Sequence, residues 1–301
     1  MIRLPRTGLG TAPLGGLFEP VGDETAHATL ELAWERGLRF FDTAPLYGLG
    51  LAERRLGRFL ADKPRDEFVL ATKVGRLLRE GVPRDPREDT WKEPSPYGVV
   101  WDFSRDGVLR SLEESLERLG LDRVDVLHVH DADDHYEEAL HGAYPALDRL
   151  RSEGVIRAVG AGMNQVEMLV RFAREAEFDC FLVAGRYTLL DRAAAPELLP
   201  LCAERGIAVI AGGVFNSGLL AGGTTFDYAP APPETVERAR RLETVCERRG
   251  VPLAAAALQF PSRRPAVTSV LLGPRSPAQL AQSLDLLDVE IPNELWAELP
   301  P

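Results

Sequence analysis

The sequence predicts an α/β protein of the (β/α)8 TIM-barrel type, on three observations. The chain has 301 residues, long for an ordinary domain but the usual size of one such barrel, so a single domain over 1–301 is expected. A helical stretch ending in charged residues and a glycine is followed by an apolar run at AWERGLRFFDT (33–43), LRSEGVIRAVG (150–160) and CAERGIAVIAGG (202–213). Eight apolar runs of this kind, with helical segments between them, fall along the chain. Gly37, Gly154 and Gly206 suit the left-handed residue that ends a helix. The runs after them lack clean polar alternation, as expected of parallel strands covered on both faces.

The expected strands are 8–13, 38–42, 67–73, 124–129, 155–160, 179–184, 207–211 and 268–272. Leu109, Leu112, Leu116 and Leu119 recur at helical spacing between Ser104, a candidate N-cap, and Gly120, a candidate stop. Leu140, Leu147 and Leu150 mark another helix, which Pro145 must kink or restart. Residues 76–103, with four prolines and two tryptophans, read as a long loop after the third strand. Residues 221–235 read as a second loop after the seventh. Both would lie on the C-terminal face of the barrel, where enzymes of this architecture act.

Composition narrows the function classes. Hydrophobic content of 45% and charged content of 27% are those of a soluble globular chain. The net charge of −11 disfavours nucleic acid and anionic membranes as partners. Cys180, Cys202 and Cys246 are too few and too far apart for a disulfide framework or a cysteine zinc site, which fits free thiols in the cytoplasm. The start of the chain carries no apolar signal region, and no apolar run is long enough to span a membrane.

Ionisable residues end three predicted strands: Asp42 in LRFFD, Lys73 in EFVLATK and His130 in VDVLHVH. Tyr47 follows Asp42 by five positions. In a barrel these ends converge on one mouth. An ammonium beside a phenol favours the phenolate and lowers its pKa, so Lys73, oriented by Asp42, is expected to activate Tyr47. His130 is expected to hydrogen-bond a substrate oxygen. Such a set suits proton transfer at an alcohol or carbonyl oxygen, which normally accompanies hydride transfer with a nicotinamide.

These residues lie in segments that resemble the aldo-keto reductase family. FDTAPLYG (41–48) is similar to the family's Asp-Thr-Ala-x-x-Tyr-Gly signature, LATKVG (70–75) to its lysine strand and SLERLGLDRVDVLHVHD (115–131) to its helix and histidine strand. AVGAGMNQ (158–165) and VLLGPRSPAQLAQSL (270–284) fall where the family binds its cofactor, and the resemblance runs in order through nearly the whole chain. It implies a barrel binding NAD or NADP, with Asp42, Tyr47, Lys73 and His130 as the catalytic tetrad. It also implies Asn164, Phe215, Gly218, Leu219, Gly273, Arg275, Gln279 and Gln282 as cofactor-binding residues. GRYTLLD (185–191) and GGVFNSGLLAGG (212–223) are most similar to the family's aldose dehydrogenases, implying a sugar or aldehyde substrate, and the chain is expected to be a monomer or small homo-oligomer. Five positions depart from the family pattern. Gly162 and Met163 stand where Ser-Asn often holds the nicotinamide amide, so Asn164 is expected to take part of that role. Ala184 replaces a glutamine. Gly212 replaces a stacking tyrosine, with Phe215 as its substitute. Gln279 stands where relatives that prefer NADP carry a cation for the 2′-phosphate, which argues for NAD, although Arg275 is close by.

Other readings stay open from the residues alone. Asp42 could cap a loop, and Lys73 could form a Schiff base. His128 and His130 share one strand face and could ligate a metal, but a third ligand is missing, so no metal is expected and His128 reads as a satisfied interior histidine. Gly48 and Gly50 lack the third glycine of a dinucleotide turn and are expected only to shape the loop. Trp91, Trp101 and Tyr97 either line the substrate cleft or anchor the long loop.

Overall fold

The computed structural model describes residues 2–85 and 90–299. Eight parallel strands close into a barrel: β1 (Thr7–Gly10), β2 (Phe40–Asp42), β3 (Val69–Val74), β4 (Val126–His130), β5 (Ala158–Met163), β6 (Cys180–Ala184), β7 (Ala208–Gly212) and β8 (Val267–Leu272). Neighbours in the barrel are neighbours in the chain, and β8 closes onto β1. The outer ring includes α1 (Asp23–Glu35), α2 (Leu51–Leu60), α3 (Arg105–Leu119), α4 (Tyr144–Ser152), α5 (Val166–Glu175), α6 (Leu198–Arg205), α7 (Pro233–Glu247), α8 (Leu253–Gln259), α9 (Pro277–Leu287) and α10 (Asn293–Glu298). No helix among the described residues is long and apolar enough to cross a membrane.

Every expected strand is present. The largest displacement is at β5, expected over 155–160 and found three residues later. Val155 belongs to the turn after α4, where its N–H donates to the Leu150 carbonyl and its side chain is exposed. The small residues of VGAGM carry the strand instead, and all of β5 is buried. β4 and β7 are likewise buried at each position, which is why their sequences show no alternation.

Two layers of core follow from this. Phe40, Ala71, Val126, Ala158, Cys180, Ala208, Ile210 and Leu271 fill the lower barrel interior. A larger apolar shell lies between the strands and the helices. α3 begins where expected: Ser104 Oγ accepts from the Gly107 N–H, and Gly120 ends the helix in the left-handed region. Pro145 restarts a helix, entering the first turn of α4 after a π-helical turn at Ala139–Ala143.

The expectation of an irregular loop over 76–103 is corrected. Arg76–Glu80 and Tyr97–Trp101 pair antiparallel as a hairpin standing on the C-terminal face. Residues 86–89 of that segment lie outside the described residues. The second loop carries a smaller hairpin, Thr225–Phe226 with Ala229–Pro230.

Candidate active site

The barrel register brings the strand ends together. Asp42 pairs with Ala71, Lys73 with His128, and His130 with Gly162. Alternate residues face the barrel axis, so Lys73, two after Ala71, points inward with Asp42, and His130 points inward with His128. β5 makes the room with glycines: a Cβ at Gly160 would lie 2.2 Å from His128 Nδ1, and one at Gly162 would lie 3.5 Å from Lys73 Cε.

Tyr47 arrives on the loop after β2. Gly48 has φ +61°, and a Cβ there would lie 2.3 Å from the Gly15 carbonyl oxygen. The exit loops of β1 and β2 therefore meet backbone to backbone, and no side chain fits between them. Both glycines of this stretch shape the loop, as expected: Gly50, also left-handed, precedes the first turn of α2.

The four sequence-predicted catalytic residues meet in one place. Lys73 Nζ donates to Asp42 Oδ1 at 2.7 Å, to Oδ2 at 2.9 Å and to the Thr43 carbonyl at 2.8 Å. It also lies 4.7 Å from the centre of the Tyr47 ring. The Tyr47 and His130 rings meet edge to face at 5.9 Å. Asp42 and Lys73 are each 1% exposed, and His130 is 5% exposed.

The electrostatics correct one expectation. Tyr47 is pushed well above the ordinary phenol range, by burial first and then by the charge of Asp42, with Arg76 as the cation that pulls it down. Lys73 was expected to lower it. All three ammonium protons are committed to Asp42 and Thr43, and the adjacent carboxylate cancels much of the ammonium's field. The phenol is therefore a proton donor at neutral pH. His130 is held well below its usual range by burial and by Arg76, so it is a neutral hydrogen-bonding imidazole. Burial raises Asp42, with Lys73 pulling against it.

Tyr47, Lys73 and His130 line a cleft of about 570 Å³ whose lining also includes Arg76, Trp91, Trp101, Asp131, Asn164 and Tyr228. Trp91 lies tilted against Tyr47, with 5.6 Å between ring centres. Trp101 stacks on His135 at 5.3 Å. Tyr97 is not part of the cleft lining and packs with Leu46, Leu49, Leu78 and Trp91. Sequence reading missed Arg76, Asp131 and Tyr228. Arg76 begins the hairpin it took for an irregular loop, and Tyr228 sits at the tip of the second, half exposed at the mouth. For Asp131 the available signal was its place next to His130.

The sequence-predicted cofactor residues fall in three segments, at Asn164, over 215–219 and over 273–282. Asn164 lines the cleft and donates to the Ala184 carbonyl at 2.8 Å. Phe215 stands away from the cleft, packed between the two largest apolar clusters, so the expectation that it stacks at the Gly212 position is not met in this conformation. Leu219 is buried in the same packing, leaving Gly218 open above it: a Cβ there would meet nothing within 4 Å. Gly273 is exposed where β8 runs into α9, which Ser276 caps by accepting from the Gln279 N–H. Gln279 turns its carbonyl to the Arg275 N–H at 2.9 Å, and Gln282 is exposed one turn further on. Two buried polar atoms here have no partner among the described residues, Asn216 Oδ1 and Arg275 Nε. An open glycine, a capped helix N-terminus and two polar atoms awaiting partners fit the elongated phosphate-bearing body of a dinucleotide.

His128 is fully buried inside the barrel, and neither ring nitrogen has a partner among the described residues. It is interior, as expected, but not satisfied. Burial and then Lys73 bring its pKa down to about 3, so it is neutral. Among the described residues no three His, Cys, Asp or Glu side chains form a group that could hold a metal ion.

The family model described as "Aldo/keto reductase family" matches residues 6–300. The chain is 46% identical to a D-threo-aldose 1-dehydrogenase from a Pseudomonas species, over 99% of this chain and 94% of that protein. It is 45% identical to a pyridoxal 4-dehydrogenase from Microbacterium luteolum, over 97% and 92% of the two chains. Among solved structures, a glycerol dehydrogenase from Gluconobacter oxydans superposes with a TM-score of 0.77 at 25% identity, over 98% of this chain and 90% of that one. A barrel that gathers an aspartate, a lysine, a histidine and a tyrosine at its mouth, and that matches the family model from end to end, is an oxidoreductase belonging to the aldo/keto reductase family.

Proposed function

We propose that the chain is an NAD(P)-dependent aldose dehydrogenase that oxidises a ring-form aldose at C1 to its lactone. The observation that carries this reading is the convergence of Asp42, Lys73, His130 and Tyr47 on a cleft walled by Trp91 and Trp101. The relative named as an aldose dehydrogenase supports the sugar as substrate. Aromatic walls suit the apolar faces of a sugar, and the polar floor suits its hydroxyls.

The residues divide the work as follows. A bound nicotinamide supplies the hydride acceptor for the C1–H bond. In this reading Asn164 holds its amide, and Gly218, Leu219, Gly273, Arg275, Gln279 and Gln282 hold the rest of the dinucleotide. His130, neutral, hydrogen-bonds the C1 oxygen and fixes its position. Tyr47 exchanges the proton of that oxygen: the phenol gives it to a carbonyl in the reductive direction, and the phenolate takes it from the hydroxyl in the oxidative one. The buried Asp42–Lys73 pair holds a fixed dipole beneath the Tyr47 ring, and that preorganisation costs nothing at the moment of transfer.

NAD is the favoured cofactor. Gln279 spends its side chain on the Arg275 backbone, and the Arg275 guanidinium lies 3.8 Å from the Glu19 carboxylate, which opposes a further phosphate dianion. The three free, buried cysteines support a reducing, cytoplasmic setting. The test is a steady-state screen of L-fucose, D-arabinose, L-galactose and pyridoxal with NAD+ and NADP+. The expected outcome is formation of reduced nicotinamide with at least one aldose and a higher kcat/KM with NAD+. Absence of turnover with every sugar under both cofactors rejects the aldose reading.

A further inference from the structure

The Arg76–Asp131 ion pair lies beside the reacting centre and is part of neither the Asp42–Lys73 pair nor the barrel ladder. Arg76 Nη2 donates to Asp131 Oδ2 at 2.7 Å, with the side chains 12% and 24% exposed. The guanidinium also lies 4.1 Å over the Trp101 ring, on the far strand of the same hairpin. Asp131 is held from the other side by its backbone: its N–H donates to the Gly162 carbonyl at 3.1 Å. Its φ is +41°, in the left-handed region that few residues with a side chain adopt and that aspartate tolerates better than most. This conformation aims the carboxylate back over the mouth of the barrel and into the cleft lining.

What the carboxylate meets there is His130. Asp131 Oδ2 lies 3.5 Å from His130 Nε2, too far for a good hydrogen bond and close enough to favour the proton on that nitrogen. His130 thus presents a donor to the reacting oxygen, with a carboxylate acceptor at its side. Among the described residues Asp131 Oδ1 makes no hydrogen bond. A donor and an acceptor so close together match the two oxygens of a vicinal diol: one at the carbon that reacts, the other at the carbon next to it.

We propose that Asp131, held by Arg76, binds the hydroxyl on the carbon adjacent to the reacting one, and so selects 2-hydroxy aldehydes and their ring forms over 2-deoxy analogues. The inference rests on the aldose reading for its natural substrate class, but its geometry asks only for a 2-hydroxy carbonyl compound. Asp131 acts as a specificity residue, and Arg76 as the residue that positions it. A carboxylate accepting from a hydroxyl gives a charge-assisted bond, so wild-type enzyme is expected to favour the 2-hydroxy substrate roughly tenfold to a hundredfold in kcat/KM.

The experiment measures that ratio in wild type, Asp131→Asn, Asp131→Ala and Arg76→Lys, in two arms. The oxidative arm compares L-fucose with 2-deoxy-L-fucose, and D-arabinose with 2-deoxy-D-ribose. The reductive arm compares lactaldehyde with propanal, using the reduced cofactor. The expected result is a preference that collapses toward unity in Asp131→Ala, falls in Asp131→Asn and weakens in Arg76→Lys, with the 2-hydroxy member of each pair losing more than its partner. Thermal melting and cofactor titration by fluorescence confirm that the variants are folded and loaded. A variant in which both members of each pair lose rate equally, leaving the ratio intact, assigns Asp131 a purely structural role and overturns the proposal. If no sugar turns over in the wild type, the aldose reading fails, while the reductive arm still decides the selection rule.

Discussion

Lys73 gives all three of its ammonium protons to one corner of the barrel, two to the carboxylate of Asp42 and one to the carbonyl next door. Removing one partner of so buried a pair leaves a charge without water or counter-ion. Lys73→Met should lower stability by about 3–5 kcal/mol, and Lys73→Met with Asp42→Leu should recover part of that loss. Denaturant unfolding of the two variants checks it. A double variant no more stable than the single one would show that the pair is not energetically coupled.

Tyr47 is the proton-exchanging group of the proposed reaction and makes no structural hydrogen bond through its hydroxyl among the described residues. Tyr47→Phe should lower kcat by roughly 10²–10⁴-fold, the usual worth of a positioned acid or base. Its melting temperature and its affinity for the cofactor should stay near wild type. Retained turnover in this variant would remove Tyr47 from the chemistry.

The direction of the Tyr47 shift sets a pH signature. Burial and Asp42 keep the phenol protonated to well above its usual range. Oxidation needs the phenolate, so its kcat should keep rising with alkalinity and show no plateau below about pH 10. Reduction needs the phenol and should stay flat over the same range. Arg76 favours the phenolate, so Arg76→Met should move the oxidative limb to still higher pH. Paired pH profiles in both directions decide this.

His128 carries a prediction about acid stability. Its pKa is about 3 in the fold, against about 6.5 in an unfolded chain. Between those values the unfolded state binds a proton that the native state refuses, so stability present above pH ~6.5 is lost as pH falls toward ~3. The slope is at most about 1.4 kcal/mol per pH unit for this one residue, and His130, shifted the same way, adds to it. His128→Leu should flatten the fall. Urea midpoints of both proteins between about pH 7 and about pH 4 test it, and parallel curves would contradict it.

The barrel was legible because its strands are short, buried on both faces and set off by glycines, and because polar residues at strand ends stand out against such runs. Asp42, Lys73 and His130 stand out in the sequence by that contrast alone. The hairpin was hidden by the prolines and charges between its strands, although YGVVW is itself a β-rich run of aromatic and branched residues. Missing it hid Arg76, whose meaning comes from a carboxylate 55 positions away. The direction of the Tyr47 shift was illegible for another reason. It depends on where three protons of one ammonium point, and a sequence names the ammonium without its hydrogen bonds.

The hairpin over 76–101 has a practical consequence for redesign. Its two strands pair with each other and join no barrel strand; a Leu17–Trp91 bridge ties the segment between them to the loop after β1, and the hairpin carries Arg76 and Trp101 and brackets Trp91. One wall of the cleft is thus built on a hairpin that lies outside the barrel ladder. Grafting a hairpin of different length or composition between Gly75 and Asp102 would change which molecules enter, while Asp42, Lys73 and His130 stay on strands that never touch the graft's backbone ladder. A graft that retains Arg76 keeps its influence on Tyr47 and His130, and libraries built in the rest of this segment should stay folded far more often than libraries built in β2, β3 or β4.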